Sequence, residues 1–368
     1  MIIILLFSII ALFLAVLDSR GRLKGGMKLG MILMTILAAI RFNYGNDYIS
    51  YFDDFTLIGK YSISDIIFFQ EKMQYIDPAF KDIGAAILYR ICKPIGYFGF
   101  IALVSIFQGY VYYSFIKENV PRHYYWLAVF VYLFDFNNYV LQMSMIRQAL
   151  VMALLVWSWH FLKQGKYVLP VLLTLISFTI HKSSLIFAPF ILLNLLSYKN
   201  GKTVALSVLG ITAFLWGASS IVGALLGNVM DLELFQLYNE SYGMEDGGKM
   251  GMARLLLAAI PYILALLYLI KPQTESGSRY LVLLSMVGVM ILPFSFEIPM
   301  ISRLCYYFSI FIIAALPLSV SQIKRPIVKI VAVGLFMFLS LYQYFDLFLH
   351  TVYTKSYAFY HTIFSALL

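Results

Sequence analysis

Most of the chain consists of long apolar runs separated by short polar breaks. Because apolar residues follow one another instead of alternating with polar ones, the runs are typical of transmembrane helices and not of a transmembrane barrel. The pattern predicts an all-α polytopic membrane protein, a bundle of about 12 transmembrane helices that forms a single integral membrane domain over residues 1–368. The predicted helices cover about residues 2–17, 29–40, 97–116, 124–136, 143–162, 167–180, 184–196, 204–226, 254–270, 280–293 and 304–320, with a last helix after residue 329.

Lys and Arg concentrate in every second polar break. Arg20, Arg22 and Lys24 follow the first run, and Lys163 and Lys166 form the turn between the fifth and sixth runs. The positive-inside rule places these breaks in the cytoplasm, and therefore places the N-terminus and the intervening breaks outside. The first run has no basic start and no small-residue cleavage pattern, so it predicts an uncleaved helix and not a signal peptide.

Two long polar segments fall on the predicted outer side, at about residues 41–96 and 227–251. Within the first, the spacing of Phe80, Ile83, Ile87 and Ile91 predicts an amphipathic helix over residues 78–91 that lies on the outer membrane surface. The aromatic tail that begins at Asp346 is expected on the same surface.

The composition narrows the classes of function. Apolar residues make up 62% of the chain and charged residues 12%, with a mean hydropathy of +0.85, which excludes a soluble globular protein. The net charge of +9 comes from cations scattered through short loops, so nucleic acid is not expected as a partner. Cys92, Cys305 and the five histidines lack metal-ligand spacing, so neither a metal nor another cofactor is expected.

Five cations lie at the outer ends of predicted helices, where the orientation rule disfavours them. They are Arg41, Arg147, Lys182, Arg254 and Arg303. Each one alone is compatible with a side chain that snorkels to lipid headgroups. Together they predict a basic pocket for an anion such as a lipid diphosphate, because arginine can bind phosphate oxygens with two parallel hydrogen bonds. Ser144 is expected to cap the helix of Arg147 and so direct backbone N–H groups to the same anion.

Two outer residues are candidates for proton transfer. Asp47 lies in a Gly- and Asn-containing turn six residues after Arg41, and His181 ends a predicted helix. The alternatives are that Asp47 is a solvated loop acid or the partner of an arginine, and that His181 has a structural role. We expect Asp47 to act as the base or to orient an acceptor hydroxyl, and His181 to bind phosphate.

Several short motifs occur in a characteristic order and spacing. They are Arg41-x5-Asp47-Tyr48-x2-Tyr51, Asp77-Pro78-x-Phe80, Met145-Ile146-Arg147-Gln148-x-Leu150 and His181-Lys182-Ser183, with Arg303 followed by Tyr306 as a looser match. Together they resemble the EpsG-like branch of the bacterial Wzy polysaccharide polymerases, which includes O-antigen polymerases. The pocket and the resemblance assign catalytic roles to Asp47, His181 and Arg147. They assign substrate binding to Arg41, Tyr48, Gln148, Lys182, Arg254, Arg303 and Tyr306.

The resemblance implies a membrane glycosyltransferase that joins oligosaccharide repeat units on the outer face of the bacterial cytoplasmic membrane, with its active site facing the periplasm or the outside. The implied partners are donor and acceptor oligosaccharides on undecaprenyl diphosphate, membrane lipids, and a chain-length regulator and a flippase as candidate proteins. Arginines would stabilise the leaving diphosphate without metal.

Three other functions remain open. A metal-dependent polyprenyl-phosphate sugar transferase would use Asp53-Asp54. An O-antigen ligase-like enzyme would differ mainly in its acceptor. A lipid-linked sugar flippase or transporter is disfavoured, because such proteins carry ionisable residues deep inside their helices, whereas the predicted helix centres here are nearly free of charge.

Overall fold

The structure is a computed structural model of the protein and describes residues 1–68, 78–135, 137–195, 200–227, 252–271, 276–297, 301–350 and 354–366. The chain packs as two compact units, one formed by Met1–Leu195 with Ser340–Leu368 and the other by Leu196–Leu339. The single membrane domain expected from the sequence stays a prediction.

The first unit is almost entirely helical. Its helices are α1 (Ile2–Ser19), α2 (Gly26–Ile40), α3 (Tyr48–Ile58), α4 (Ile83–Cys92), α5 (Gly96–Asn119), α6 (Tyr125–Phe134), α7 (Tyr139–Ser144), α8 (Ile146–Leu162), α9 (Val168–Ile180) and α10 (Ala188–Leu193). Single 3-10 segments cover Pro78–Lys81, Lys93–Ile95, Arg122–Tyr124 and Lys182–Phe187. Residues 63–68 are also helical.

The second unit contains α11 (Gly201–Gly227), α12 (Met252–Leu269), α13 (Ser276–Ile291), α14 (Phe294–Glu297), α15 (Ile301–Ser309) and α16 (Ile312–Ser321). It also contains the start of α17 (Pro326–His350), whose later part returns to the first unit and is followed there by α18 (Thr354–Ala358) and α19 (Ile363–Ala366). Two short antiparallel strands, β1 (Arg41–Phe42) and β2 (His361–Thr362), join the outer segment to the C-terminal tail within the first unit.

Small residues set the close helix contacts of the first unit. A Cβ added at Gly30 of α2 would lie 2.8 Å from the backbone oxygen of Ala11 in α1. Gly109 of α5 faces Thr35 of α2 with equally little space. Such contacts are typical of membrane helices, which gain little from apolar burial and depend on close packing.

Helix α6 forms the centre of the first unit. Every side chain from Leu127 to Phe134 is buried, so the helix is apolar on all sides because all of its sides contact protein. Ten residues span about 15 Å, roughly half of a hydrocarbon core. The sequence predicted a spanning helix over residues 124–136, and the observed helix is buried but short.

The described helices confirm an all-α, multi-pass membrane protein. Four helical segments, one of which runs from α4 through the 3-10 turn into α5, meet the length and hydropathy needed to cross a membrane: Ile2–Ser19, Ile83–Asn119, Gly201–Ser219 and Pro326–Asp346. The pair α15 and α16, bent by 50°, counts as a fifth if it forms one span, and six further apolar helices have 10–17 residues. The count of about 12 spans stays a prediction.

Two elements differ from their predicted form. In place of one helix over residues 184–196, the structure has the 3-10 segment Lys182–Phe187 followed by the short α10, because Pro189 lacks the N–H that a continuous helix needs. In place of one surface helix over residues 78–91, it has a 3-10 segment and then α4. The face of α4 that is buried against protein is Ala85, Ala86, Tyr89 and Cys92, whereas Ile91 is exposed, and the position of this segment on the membrane surface stays a prediction.

Polar contacts gather at one end of the first unit. Arg122 donates to Asp18 through Nε at 3.0 Å, and its Nη2 lies 2.9 Å from the same carboxylate. Glu118 pairs with His160 at 2.8 Å, near the C-terminus of α8. These groups come from segments that the charge pattern assigns to one side of the membrane. The candidate site lies at the other end of α8.

Candidate functional site

The turn between β1 and α3 is held in place by two distant parts of the chain. Gly45 adopts a φ of +106°, and a Cβ there would lie 2.8 Å from Cα of Ser144. The Gly45 N–H donates to the Ser356 carbonyl at 3.2 Å. Tyr44 is fully buried, and its ring contacts the rings of Tyr357 and Tyr360. The turn therefore lies between the C-terminal tail and the junction of α7 and α8.

Asp47 follows this turn and precedes α3. Its backbone N–H donates to Ser144 Oγ at 3.4 Å, which places Asp47 close to the start of α8, and its side chain is half-buried. Ser144 therefore does not cap α8 as the sequence predicted. It is the last residue of α7, and Met145 occupies the N-cap position without a side-chain hydrogen bond.

Arg147 lies in the first turn of α8, where the N-terminal end of the helix dipole favours anions. Its guanidinium carbon lies 5.2 Å from the centroid of the Tyr51 ring, and the side chain also hydrogen-bonds to Tyr51. Its Nη1 lies 3.5 Å from Asp82 Oδ2. That contact is longer than a good N–H···O hydrogen bond, and Nη1 has no other partner. The side chain is 22% exposed.

Asp82, which the sequence patterns did not indicate, is a second acid of this group. It precedes α4, and its side chain is only 7% exposed. Burial raises the pKa of the Asp82 carboxyl above its ordinary value, although Arg147, Lys182 and Lys81 and a hydrogen bond from the Lys182 backbone oppose this shift. The Asp82 carboxylate thus lies among three cations but is almost inaccessible to solvent.

His181 and Lys182 approach the same group from α9. His181 ends that helix with an extended backbone, and its side chain is half-buried. The Lys182 N–H donates to the Asp82 carboxylate, and the Lys182 side chain is exposed. Gly84 of α4 faces Thr179 of α9 with no space for a Cβ, so these two helices fix Asp82 beside Lys182.

Arg41 and Tyr48 contact other parts of the first unit. Arg41 is 2% exposed, and its Nη1 donates to Ser105 Oγ at 3.2 Å and to the Ala38 carbonyl. Tyr48 is fully buried and donates from its hydroxyl to the Arg41 carbonyl at 3.1 Å. Arg41 thus contacts Ser105 and Ala38, whereas Arg147 contacts Asp82 and Tyr51.

The other residues that the sequence predicted for the site are divided between the two units. Gln148 is buried beside Arg147 in α8. Arg254, Arg303 and Tyr306 belong to the second unit, in α12 and α15. Arg303 and Tyr306 are half-buried there, whereas the side chain of Arg254 lies outside the described structure. Their predicted part in the pocket stays a prediction.

The acidic pair Asp53-Asp54 lies in α3. Asp53 is exposed and Asp54 half-buried, since neighbouring residues of a helix point in directions about 100° apart. Within the described part of the chain, no group of three or more His, Cys, Asp or Glu side chains is arranged to hold a metal ion.

The structure therefore brings Arg147, Lys182, His181 and Asp47 to one end of the first unit and adds Asp82 and Tyr51 to them. Tyr51 belonged to a recognised motif without a role of its own. Asp82 could have been found as a lone acid between the motif at Pro78 and an apolar helix, but nothing local in the sequence connects it to Arg147.

Comparison with known proteins gives one family. The model of the EpsG family matches residues 29–361. No curated protein matches the chain, and no solved structure matches it.

Proposed function

Because the chain belongs to the EpsG family, whose members are Wzy-like polysaccharide polymerases and glycosyltransferases, we propose that it joins oligosaccharide repeat units carried on undecaprenyl diphosphate at the outer face of the bacterial cytoplasmic membrane. The family supports a polymerase-type membrane enzyme in general. The substrate, the membrane side and the mechanism are our proposal.

The observation that carries the proposal is the state of Arg147. Its side chain is partly exposed and lies at a helix N-terminus, while its buried Nη1 faces Asp82 at 3.5 Å without a hydrogen bond. An anion that reached this end of α8 would therefore find a cationic donor and a favourable dipole together. Lys182, which is exposed, would add a second cation.

The proposed reaction is a displacement at the anomeric carbon of the donor. A bond forms from the acceptor hydroxyl oxygen to that carbon, and the bond from the carbon to the diphosphate oxygen breaks. The diphosphate leaves with the electron pair, so negative charge grows on its oxygens. Donors already oriented toward those oxygens lower the barrier more than protonation does, because diphosphate is a good leaving group.

We assign the hydroxyl proton to Asp47 and phosphate binding to His181. The half-buried Asp47 is held next to α8 by the contact of its N–H with Ser144, which supports a position close to a diphosphate at Arg147. A base has to lie within hydrogen-bond reach of the proton that it accepts. Asp82 has another role, since it is nearly inaccessible: it positions the Arg147 side chain.

Arg147→Lys tests the central assignment. Lysine keeps the charge but loses the planar fork, so we expect the polysaccharide ladder on cells to fall by about 100-fold, as for loss of a transition-state donor. Arg122→Lys is the matched control, because Arg122 is also a helix-end arginine paired with a buried acid. We expect a full ladder for this control at equal protein levels. A full ladder for Arg147→Lys would reduce Arg147 to a membrane anchor.

Deletion of the gene separates polymerase from ligase. Cells without a polymerase still transfer single repeat units to the final acceptor, whereas cells without a ligase transfer none. We expect surface polysaccharide of single-unit length, and its complete loss would contradict a polymerase.

A further inference from the structure

A small cavity lies inside the first unit, between α2, α5, α6 and α7. It has room for little more than one water-sized particle, about 10 Å³. Its lining contains both apolar and polar residues. They are Met31, Met34, Thr35, Ala38, Arg41, Ser105, Gln108, Gly109, Tyr132, Tyr139, Gln142 and Met143. None of these described lining residues is acidic.

Arg41 contributes a positive charge to this cavity. The residue is 2% exposed, and among the ion pairs of the described residues none includes Arg41. Its Nη1 is satisfied by neutral oxygens of Ser105 and Ala38, and its Nε has no partner. A buried cation normally persists only when an opposite charge accompanies it.

Two glutamines contribute further donors. The Nε2 atoms of Gln108 and Gln142 are both buried and both lack a hydrogen-bond partner. The amide oxygen of Gln142 accepts from the Tyr132 hydroxyl at 3.5 Å, so this amide has an acceptor contact but no donor contact. Three of the residues that line the cavity thus each carry a buried N–H donor without a partner, and one of the three is charged.

We propose that this cavity is a binding site for a single monatomic anion of the halide class, with chloride as the physiological occupant. Such an ion accepts hydrogen bonds from all sides, donates none, and neutralises the charge of Arg41. A water molecule would accept hydrogen bonds but leave that charge unpaired. Phosphate and sulfate have several oxygens and are too large for the space.

The site has a structural consequence that does not depend on the proposed polymerase activity. The Arg41 carbonyl accepts from Tyr48, and the Arg41 backbone pairs with Thr362 in the short sheet. An anion that holds the Arg41 side chain therefore holds the start of the turn that carries Asp47. The anion therefore stabilises the folded first unit and takes no part in the reaction itself.

A series of anions at constant ionic strength tests the proposal on the purified protein. We expect the melting temperature to be at least about 2 °C higher in chloride or bromide than in gluconate or sulfate, by stabilisation of the folded state through binding. Gln108→Glu places a fixed carboxylate beside Arg41, so we expect this variant to melt at the same temperature in all four salts.

Gln343→Glu is the matched control, since Gln343 lies in the same unit but does not line the cavity. It should keep the halide effect in full. Equal melting temperatures of the unchanged protein in chloride and gluconate would overturn the proposal, as would a halide effect that survives in Gln108→Glu. If Gln108→Glu does not fold, Gln142→Glu replaces it. Bromide content gives a measure independent of any variant: one ion per chain supports the site, and none refutes it.

Discussion

Replacement of Asp82 by asparagine separates a structural ion pair from a functional one. Asn keeps an oxygen that can accept from the Lys182 N–H, and it removes the negative charge beside Arg147. If the pair served only to hold the fold together, loss of one partner of a buried pair would cost about 3–5 kcal/mol of unfolding free energy. We expect no such loss.

The expected change in unfolding free energy follows from two opposing effects, the attraction between the charges and the loss of water around the carboxylate. Attraction between unit charges 3.5 Å apart is about 5 kcal/mol at an effective dielectric constant of about 20. Removal of water from a buried carboxylate costs several kcal/mol as well. Because burial raises the pKa of Asp82 despite its cationic neighbours, the cost of desolvation exceeds the attraction. We therefore expect Asp82→Asn to leave stability at neutral pH unchanged or to raise it.

The same reasoning fixes the sign of the pH dependence. Between the ordinary carboxyl pKa of 3.8 and the raised pKa of Asp82, the folded protein holds a proton that the unfolded chain has lost. The contribution of Asp82 to stability is therefore present below the ordinary value and is lost as pH rises through the raised one. The Asp82→Asn variant should not show this decrease in stability with rising pH.

The assay is thermal unfolding of both proteins in detergent from acidic to neutral pH, together with turnover and donor affinity. We expect turnover of Asp82→Asn to fall by at least about tenfold, because the Arg147 side chain is no longer positioned. A melting temperature several degrees lower at neutral pH, or an unchanged pH profile, would refute the reasoning and make the pair structural.

Three further outcomes are expected. Asp47→Asn should abolish turnover and keep donor binding, whereas His181→Gln should chiefly weaken donor binding, and the reverse pattern would exchange the two roles. Polymerisation by the purified protein should survive a strong chelator, and its loss and recovery with magnesium would favour a metal-dependent transferase. Gly45→Ala should lower the unfolding free energy by about 1–3 kcal/mol, through both strain and contact with Ser144. Gly165→Ala, with a φ of +70° and open space around it, should lose less on the same measurement.

The sequence predicted the long helices well, because hydrophobic run length depends on each segment alone. Helices α1, α5 and α8 lie within three residues of their expected bounds. Helix α3 was not expected, since it mixes acidic and apolar residues and depends on contacts made elsewhere. Tyr97 of α5, for example, donates to the Tyr48 carbonyl at 3.0 Å.

The candidate site likewise contains residues that a local sequence pattern identifies and residues that only distant contacts bring together. Arg147 could be identified from its unexpected charge at a helix end that is predicted to be outside. Its contact with Asp82 joins two residues 65 positions apart, and no local pattern encodes such a pair. The predicted cap failed for a similar reason, because Ser144 accepts a hydrogen bond from the distant turn at Asp47.

Arg41 and Arg147 illustrate why equal signals in the sequence can have different meanings. Both are arginines at helix ends that the charge pattern predicts to be outside, and each belongs to a recognised motif. Arg41 follows the last turn of α2, and a two-stranded pairing with the C-terminal tail holds its backbone, so its side chain is covered. Arg147 begins a helix and keeps a fifth of its side chain exposed. A ligand as large as a diphosphate can reach only an arginine of the second kind, so the proposal assigns the substrate to Arg147 and a single small ion to Arg41.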